Sequence, residues 1–160
     1  MQSLDEIKNW LKQDNQPLRS NVGDFKKKKG LSVLFDGADG KSKLTAAKML
    51  GKEFGKEVHH VDLSKAVSKY IGETEKNLTV LFKEAAEKDW ILFFDEADAL
   101  FGKRTDIKDA HDRYANTEVN YLLQKIESYS GLVIVALHLR QNIDSAFVRR
   151  FHAVIHFPIN

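Results

Sequence analysis

Two neighbouring carboxylates stand at the end of the most apolar segment of the chain. The run Trp90–Phe94 is followed directly by Asp95 and Glu96. A buried strand that ends in two acids presents both carboxylates at the rim of a sheet. Enzymes that cleave nucleoside triphosphates use such a pair: the first acid holds Mg²⁺, usually through water, and the second orients or deprotonates the attacking water. We therefore predict these two roles for Asp95 and Glu96, the alternative being a strand that ends in acids by chance.

A glycine-rich segment earlier in the chain has the position of a phosphate-binding loop. In the pattern GxxxxGK(S/T), backbone N–H groups surround the phosphates and the lysine reaches the β and γ phosphates. Gly37, Gly40 and Lys43 fall in register with this pattern, between a predicted strand and a predicted helix. The candidate nucleotide-binding residues are Gly37, Ala38, Asp39, Gly40, Lys41, Ser42, Lys43 and Leu44.

Two residues of this segment depart from the pattern, and a third adds charge. Ser42 stands where the second motif glycine belongs, and its Cβ would crowd the phosphates. Leu44 replaces the hydroxyl residue that coordinates Mg²⁺, and a leucine offers no oxygen to a hard cation. Asp39 adds negative charge. Because Lys43 and the helix N-terminus remain, we expect part of the nucleotide affinity to survive, with Mg²⁺ placement weakened most.

The elements that position these residues alternate between strands and helices. An N-terminal helix opening at Ser3 and a polar linker are predicted over 1–30, and the nucleotide-binding domain over 31–160. Short apolar strands separated by helices predict an α/β fold, a three-layer sandwich around a five-stranded parallel sheet whose ligand lies at the carboxyl ends of the strands. The predicted strands cover 32–35, 58–63, 90–94, 132–137 and 153–157, and the predicted helices cover 43–54, 74–88 and 117–128.

Composition excludes several other functions. The 160 residues carry a net charge of +2, too small to argue for a nucleic-acid or membrane partner. There is no cysteine, which rules out disulfides, thiolate catalysis and cysteine zinc sites. No apolar run approaches the ~20 residues of a membrane span, and no signal-peptide pattern opens the chain. We therefore predict a cytoplasmic protein.

The histidines do not predict a zinc site. His59 and His60 are adjacent on a predicted strand and point to opposite faces of it. His152 and His156 would share a face, but about 13 Å would separate them at ~3.3 Å per residue.

From about Leu31 to Pro158 the sequence resembles the AAA-type P-loop ATPases, in particular a bacterial branch of that family. The resemblance is carried by the Lys43 loop, by Asp95–Asp98 and by Asp144–Phe151. It implies the AAA fold, the ligands ATP and Mg²⁺, and the magnesium-associated and water-activating roles already predicted for the two acids. It also implies a homo-hexameric ring that acts on a protein substrate.

The resemblance assigns roles to further positions. Arg149 and Arg150 match arginine fingers that reach the γ-phosphate of a neighbouring subunit, the alternative being surface arginines at a helix C-terminus. Tyr70 matches the pore-loop aromatic that grips an extended polypeptide, the alternative being a tyrosine packed under a loop. His138 stands where the family has the asparagine that polarises the attacking water, so the positioning of that water is in doubt. The family's helical lid would follow Asn160, and without it we expect weaker nucleotide binding and ring assembly, with a monomer as one outcome.

Two functions follow from these patterns. The first is an ATP-binding and ATP-hydrolysing motor module that remodels a protein substrate in a ring. The second is a hydrolysis-deficient AAA domain, natural or engineered, that acts as a binding or scaffold module. Ser42, Leu44 and His138 favour the second function because all three changes converge on one nucleotide pocket. A nucleotide kinase is a third and weaker possibility, since nothing in the sequence resembles a phosphoryl-acceptor site.

Overall fold

A computed structural model describes residues 4–14, 30–37, 40–63, 73–98, 120–138 and 145–157 of the chain. The strands are β1 (Leu31–Asp36), β2 (Val58–Asp62), β3 (Ile91–Asp95), β4 (Leu132–Ala136) and β5 (Ala153–His156). The helices are α1 (Leu4–Asp14), α2 (Gly40–Phe54), α3 (Glu73–Lys88), α4 (120–128) and α5 (Ser145–Val148).

The described strands form one five-stranded sheet in the order β2-β3-β4-β1-β5, and every pairing is parallel. The predicted five-stranded parallel sheet is therefore confirmed. Parallel strands need crossover connections, and those connections place helices on the two faces. The register aligns the ends of neighbouring strands, so that Asp62 pairs with Asp95 and Asp36 with His156. All five carboxyl ends consequently lie along one rim.

One face of the sheet packs against α3 and α4. We call this packing the α3–α4 cluster; its fully buried members include Leu92, Phe94, Val133 and Val135 from the sheet and Leu78, Phe82, Leu122 and Ile126 from the helices. The hydroxyl of Tyr129 lies at the bottom of the cluster, where it donates its one proton to the carbonyl of Trp90 at 2.5 Å and lies 3.1 Å from the carbonyl of Ala85. Burial raises the pKa of this phenol, so Tyr129 stays protonated and keeps both contacts.

The opposite face packs against α1 and α2, as the alternation of side chains along each strand requires. This α1–α2 cluster contains Val33, Phe35, Phe93, Ile134 and Ile155 from the sheet and Ile7, Leu11, Ala47 and Leu50 from the helices. The three-layer architecture is thus confirmed. Because Ile7 and Leu11 of α1 are fully buried in the same cluster as the sheet, the N-terminal helix contributes to the core of the nucleotide-binding fold. The domain boundary at residue 30 stays a prediction.

The start of α2 differs from the prediction. The sequence predicts a helix from Lys43, whereas α2 begins at Gly40. The first N–H groups of a helix need no partner within it, and Ser42 is a better helix former than the glycine it replaces. The first turn of α2 therefore takes up residues that we had placed in the loop, and only 37–39 separate it from β1. The strand ends agree with the prediction to within one residue.

Candidate functional site

The turn after β1 is shaped by a close approach of the backbone that follows β5. Gly37 has a φ of +123°, and a Cβ at this position would lie 2.0 Å from the carbonyl oxygen of Phe157. The Phe157 N–H donates to the carbonyl of Asp36 at 2.8 Å, which fixes the two segments together. Only glycine fits this position, for steric and for conformational reasons.

Lys43 lies at the centre of the site, on the first turns of α2. Its side chain is fully buried, and its Nζ donates to the carbonyls of Gly37 and Leu137, each at 2.6 Å. The ammonium group thus bridges the ends of β1 and β4. An ammonium carries three N–H donors, and these two carbonyls use two of them.

Two electrostatic effects on the pKa of Lys43 oppose each other. Burial lowers the pKa of Lys43, and the nearby carboxylates of Asp95, Asp98, Glu96 and Asp36 work against that shift, Asp95 most strongly. The lysine predicted to contact phosphate and the two predicted catalytic acids are therefore brought together at one rim. A nucleoside triphosphate and its cation require a lysine and carboxylates placed together in this way.

The two residues beside Lys43 lie on the first turns of α2. Leu44 is half-buried and packs against the α1–α2 cluster. Ser42 is half-buried as well, and Lys41 is exposed. At the position where a hydroxyl is expected to coordinate Mg²⁺, the chain therefore has a side chain that packs against the apolar core.

Asp95 and Glu96 form a short turn at the end of β3. The Glu96 N–H donates to Asp95 Oδ1 at 2.8 Å, and the next N–H, from Ala97, donates to the carbonyl of Ala136 on β4 at 3.1 Å. Glu96 has a φ of +58°, a conformation uncommon for a residue with a side chain. The Glu96 side chain is 41% exposed, so its carboxylate lies outside the apolar core.

His138 follows β4 and lies beside these acids. Its backbone N–H donates to Asp98 Oδ1 at 2.8 Å, and its Nδ1 lies 3.5 Å from the same oxygen and 3.6 Å from Glu96 Oε2. The structure thus places His138, which stands at the position of the water-polarising asparagine, next to the predicted water-activating acid. Asp98 holds His138 in place, a role that the sequence analysis did not predict.

Two further histidines contact the rim aspartates. His60 Nε2 on β2 lies 3.0 Å from Asp95 Oδ2, and His156 Nδ1 on β5 lies 2.6 Å from Asp36 Oδ1. A carboxylate only accepts, so each imidazole donates. Sequence reasoning weighed these histidines as zinc ligands and missed both contacts. The available signal was the presence of polar residues near the ends of two otherwise apolar strands.

A comparison with known families decides what kind of site this is. The family model described as "ATPase family associated with various cellular activities (AAA)" matches residues 33–159, most of the chain. This chain belongs to the AAA family of ATPases.

Individual relatives agree with that assignment. This AAA domain is 35% identical over 127 residues to an uncharacterized AAA family ATPase of Sinorhizobium fredii, covering 78% of this chain and 38% of the relative. It is 34% identical to a proteasome-activating nucleotidase of Aeropyrum pernix, covering 79% of this chain and 33% of the relative. It is 33% identical to the vacuolar protein sorting-associated protein 4B of Mus musculus, covering 79% and 30% respectively. The AAA domain thus spans about a third of the length of these relatives.

The predicted arginine fingers of the AAA domain lie in the turn between α5 and β5. Both Arg149 and Arg150 are exposed. Arg150 forms an ion pair with Glu127 of α4, with its Nε 2.6 Å from Glu127 Oε1. Within residues 120–138, 145–157 and the other described ranges, no carboxylate is paired with Arg149.

The remaining predicted positions of the AAA domain lie outside the description. Ala38, Asp39 and Tyr70 fall outside the described residues, and of Gly40 only the place at the start of α2 is described. Within the described ranges, none of the helices is long and apolar enough to cross a membrane.

Proposed function

We propose that this AAA domain binds ATP with Mg²⁺ at the rim formed by the ends of β1, β3 and β4, and that it is the ATP-hydrolysing module of a ring-forming, cytoplasmic ATPase that remodels a protein substrate. The observation that carries the proposal is the position of Lys43. Its ammonium bridges the ends of β1 and β4 within the field of Asp95, Glu96 and Asp98.

The chemistry of the site fits a nucleotide. Lys43 retains a third N–H for a phosphate oxygen, and the first turn of α2 presents the partial positive charge of a helix N-terminus. The turn at Gly37 is held against Phe157, which fixes the start of the predicted phosphate-binding segment. A relative named as a nucleotidase, from Aeropyrum pernix, supports the same ligand class.

The donor set also fits Mg²⁺, with fewer protein ligands than the family pattern has. Mg²⁺ usually keeps several waters and binds through one or two carboxylates plus substrate phosphates. Asp95 supplies such a carboxylate, while Leu44 supplies nothing. When bound, Mg²⁺ would neutralise charge on the phosphate oxygens, and Glu96 would orient the attacking water or accept its proton.

The ring is supported by the exposed turn that carries Arg149 and Arg150. Arginine keeps its charge and binds phosphate oxygens with a planar fork, so an exposed arginine suits a role at a neighbouring subunit. Arg150 would have to leave Glu127 to take this role, whereas Arg149 has no carboxylate partner to leave within the part of the chain that the structure describes. We assign Arg149 as the primary finger, Arg150 as its companion, and Tyr70 as the contact with the protein substrate.

A second candidate function is nucleotide binding without turnover. Two observations favour it. Leu44 packs against the α1–α2 cluster, and His138, at the position of a shorter asparagine, has its Nδ1 3.6 Å from Glu96 Oε2. Both changes affect Mg²⁺ and water placement and leave Lys43 untouched. In this case the domain would act as a scaffold whose assembly responds to bound nucleotide.

Calorimetric titration with ATP, with Mg²⁺ and then with EDTA, tests the proposal, and phosphate release separates the two candidates. Magnesium-dependent binding with phosphate release supports the motor; binding with no release supports the scaffold. Absence of ATP binding under both conditions overturns the proposal.

A repaired variant tests our account of the altered residues. Ser42→Gly, Leu44→Thr and His138→Asn together restore the family pattern, and we expect tighter Mg²⁺-dependent binding with faster phosphate release. Thr45→Val, on the same exposed turn of α2 but outside the pattern, is the matched control for changes to this helix. Unchanged affinity after repair would show that these residues do not explain the behaviour of the site.

A further inference from the structure

The end of β3 is held from the side by the edge strand β2. His60 Nε2 lies 3.0 Å from Asp95 Oδ2, while Asp95 Oδ1 accepts the N–H of Glu96 at 2.8 Å. Both oxygens of the predicted magnesium-associated carboxylate are therefore fixed by protein donors. We propose that His60 is a positioning residue that presents Asp95 to the cation. The inference rests on the proposed Mg-ATP site and names a residue on which that site depends.

The register of the sheet explains why His60 reaches Asp95. His60 is the direct partner of Phe93, and Asp62 is the partner of Asp95. Side chains alternate along a strand, so His60, Phe93 and Asp95 share the face that carries the α1–α2 cluster. The imidazole packs against the Phe93 ring, with 5.5 Å between centroids, and this contact directs its Nε2 toward the strand end.

The neighbouring histidine provides a natural contrast. His59 points to the other face and stacks on Trp90, with ring centroids 4.6 Å apart and planes within 4° of parallel. It lies on the same edge strand, with a side chain of the same type, but contacts none of the rim acids among the described residues. A general effect of disturbing β2 would therefore follow from changing either histidine, whereas an effect on Asp95 would follow from changing His60 alone.

Fixing the carboxylate matters because an aspartate has a soft terminal torsion. The side-chain carboxyl of an aspartate rotates over a broad range unless hydrogen bonds restrict it. Each Asp95 oxygen accepts one protein hydrogen bond and keeps a second lone pair for the cation or its water. Donors that orient a metal-binding carboxylate in this way typically contribute about 10- to 100-fold in metal affinity.

The contact is accessible to the cleft without being a loose surface pair. The Asp95 side chain is 20% exposed and that of His60 is 42% exposed, so the pair is partly open to solvent at the rim. Loss of the imidazole would leave the fold intact, because His60 contributes no fully buried apolar surface. Its removal would free Asp95 Oδ2 to turn toward solvent, and the carboxylate would then have to be ordered when the cation binds.

The experiment measures Mg²⁺ dependence rather than turnover. ATP binding to the full chain is followed by calorimetry at increasing Mg²⁺ and also in EDTA, for wild type, His60→Ala, His60→Gln and His59→Ala. We expect His60→Ala to raise the Mg²⁺ concentration at half-effect about tenfold or more, and His60→Gln, which keeps a donor at similar reach, to stay within about threefold of wild type. His59→Ala should match wild type, and ATP affinity in EDTA should be the same for all four proteins.

Each contrary result has one meaning. Equal Mg²⁺ dependence of His60→Ala and wild type would overturn the inference and leave the proposed site standing. Equal losses in His60→Ala and His59→Ala, or a loss that persists in EDTA, would also overturn it, because the effect would then be structural. Failure of wild type to bind ATP would overturn the proposed function itself, and with it the inference.

Discussion

Strands β1 and β3 end alike, yet the turns that follow them differ. Each strand ends in an aspartate that contacts a histidine on the adjacent edge strand; the pairs are Asp36 with His156 and Asp95 with His60. Each aspartate is followed by a residue with positive φ, Gly37 at +123° and Glu96 at +58°. The same local device therefore occurs twice along one rim.

The difference lies in what surrounds each turn. Around Gly37 the Phe157 carbonyl occupies the space of a Cβ, so a side chain is excluded. At Glu96 the chain accepts a left-handed conformation, which costs about 1–2 kcal/mol for a residue with a Cβ, while presenting a half-exposed carboxylate. Strain of this kind at a functional position is maintained only where the surroundings fix it. The first turn is fixed by the approach of another backbone segment, and the second presents an acid at the rim.

The largest expected effect breaks the glycine turn. Gly37→Ala would place a Cβ against the Phe157 carbonyl at a φ that disfavours side chains. We expect a loss of about 3 kcal/mol in the free energy of unfolding, the sum of backbone strain and a steric clash. Urea denaturation measures it directly.

Gly55→Ala is the matched control for that substitution. Gly55 also has a positive φ, +65°, but nothing lies within 4 Å of where its Cβ would be. Its loss should be about 1 kcal/mol, from conformation alone. Equal losses for the two variants would show that the approach of Phe157 does not constrain the first turn.

The next effect concerns the lysine that caps the glycine turn. Lys43→Met keeps most of the buried stem but removes the ammonium that contacts Gly37 and Leu137. We expect ATP affinity to fall about 10- to 100-fold, the range expected when a hydrogen bond to a charged group is lost. Lys48→Met, which changes an exposed lysine of the same helix outside the predicted phosphate-binding segment, is the control. A similar affinity for Lys43→Met and Lys48→Met would separate Lys43 from the nucleotide site.

A smaller effect sharpens the comparison at the second turn. Glu96→Gly and Glu96→Ala both remove the carboxylate, but only glycine relieves the positive φ. Glu96→Gly should therefore be more stable than Glu96→Ala by about 1 kcal/mol, and any phosphate release should be lost in both. Thermal or urea unfolding of the two variants gives the difference. Equal stability would indicate that the Glu96 backbone is not strained.

The sequence could predict the strands and their common rim because four of the five strands are short, mainly apolar runs that alternate with helices. The acids at the end of β3 and the lysine on α2 could be placed on that rim for the same reason, since parallel strands align their carboxyl ends. The resemblance to a known family supplied the roles of individual positions. These predictions depend on periodicity and local spacing, which a single sequence contains.

The contacts from the edge strands could not be predicted in the same way. Knowing that His60 meets Asp95 requires knowing that β2 pairs with β3, and the register must also be known to one residue, because a shift by one moves His60 to the other face. The half-burial of Leu44 was hidden for a related reason. The motif predicts a missing Mg²⁺ ligand, but only the packing of α2 on the sheet shows that the leucine has gained an apolar environment.

The smallest effect is a pH dependence of stability at Lys43, and its sign follows from burial. In the unfolded chain this lysine has its ordinary pKa of 10.5, whereas burial lowers the pKa in the folded state. Between the lowered value and 10.5 the unfolded state binds more protons, so the contribution of Lys43 to stability increases as pH rises; below that window the cost of the buried charge is constant. Comparing wild type with Lys43→Met by urea denaturation from about pH 8 to about pH 10 isolates this contribution, since the contributions of other groups cancel.

The upper pH limit is set by Tyr129. Its pKa is raised in the folded state, so stability falls once the tyrosines of the unfolded chain ionise, above their ordinary pKa of 10.0. The free energy of unfolding of wild type should increase relative to that of Lys43→Met as the pH rises. A constant or shrinking difference in the free energy of unfolding would mean that the rim acids offset the burial of the ammonium. The acid-bearing turn would then stabilise Lys43 as much as the glycine turn does.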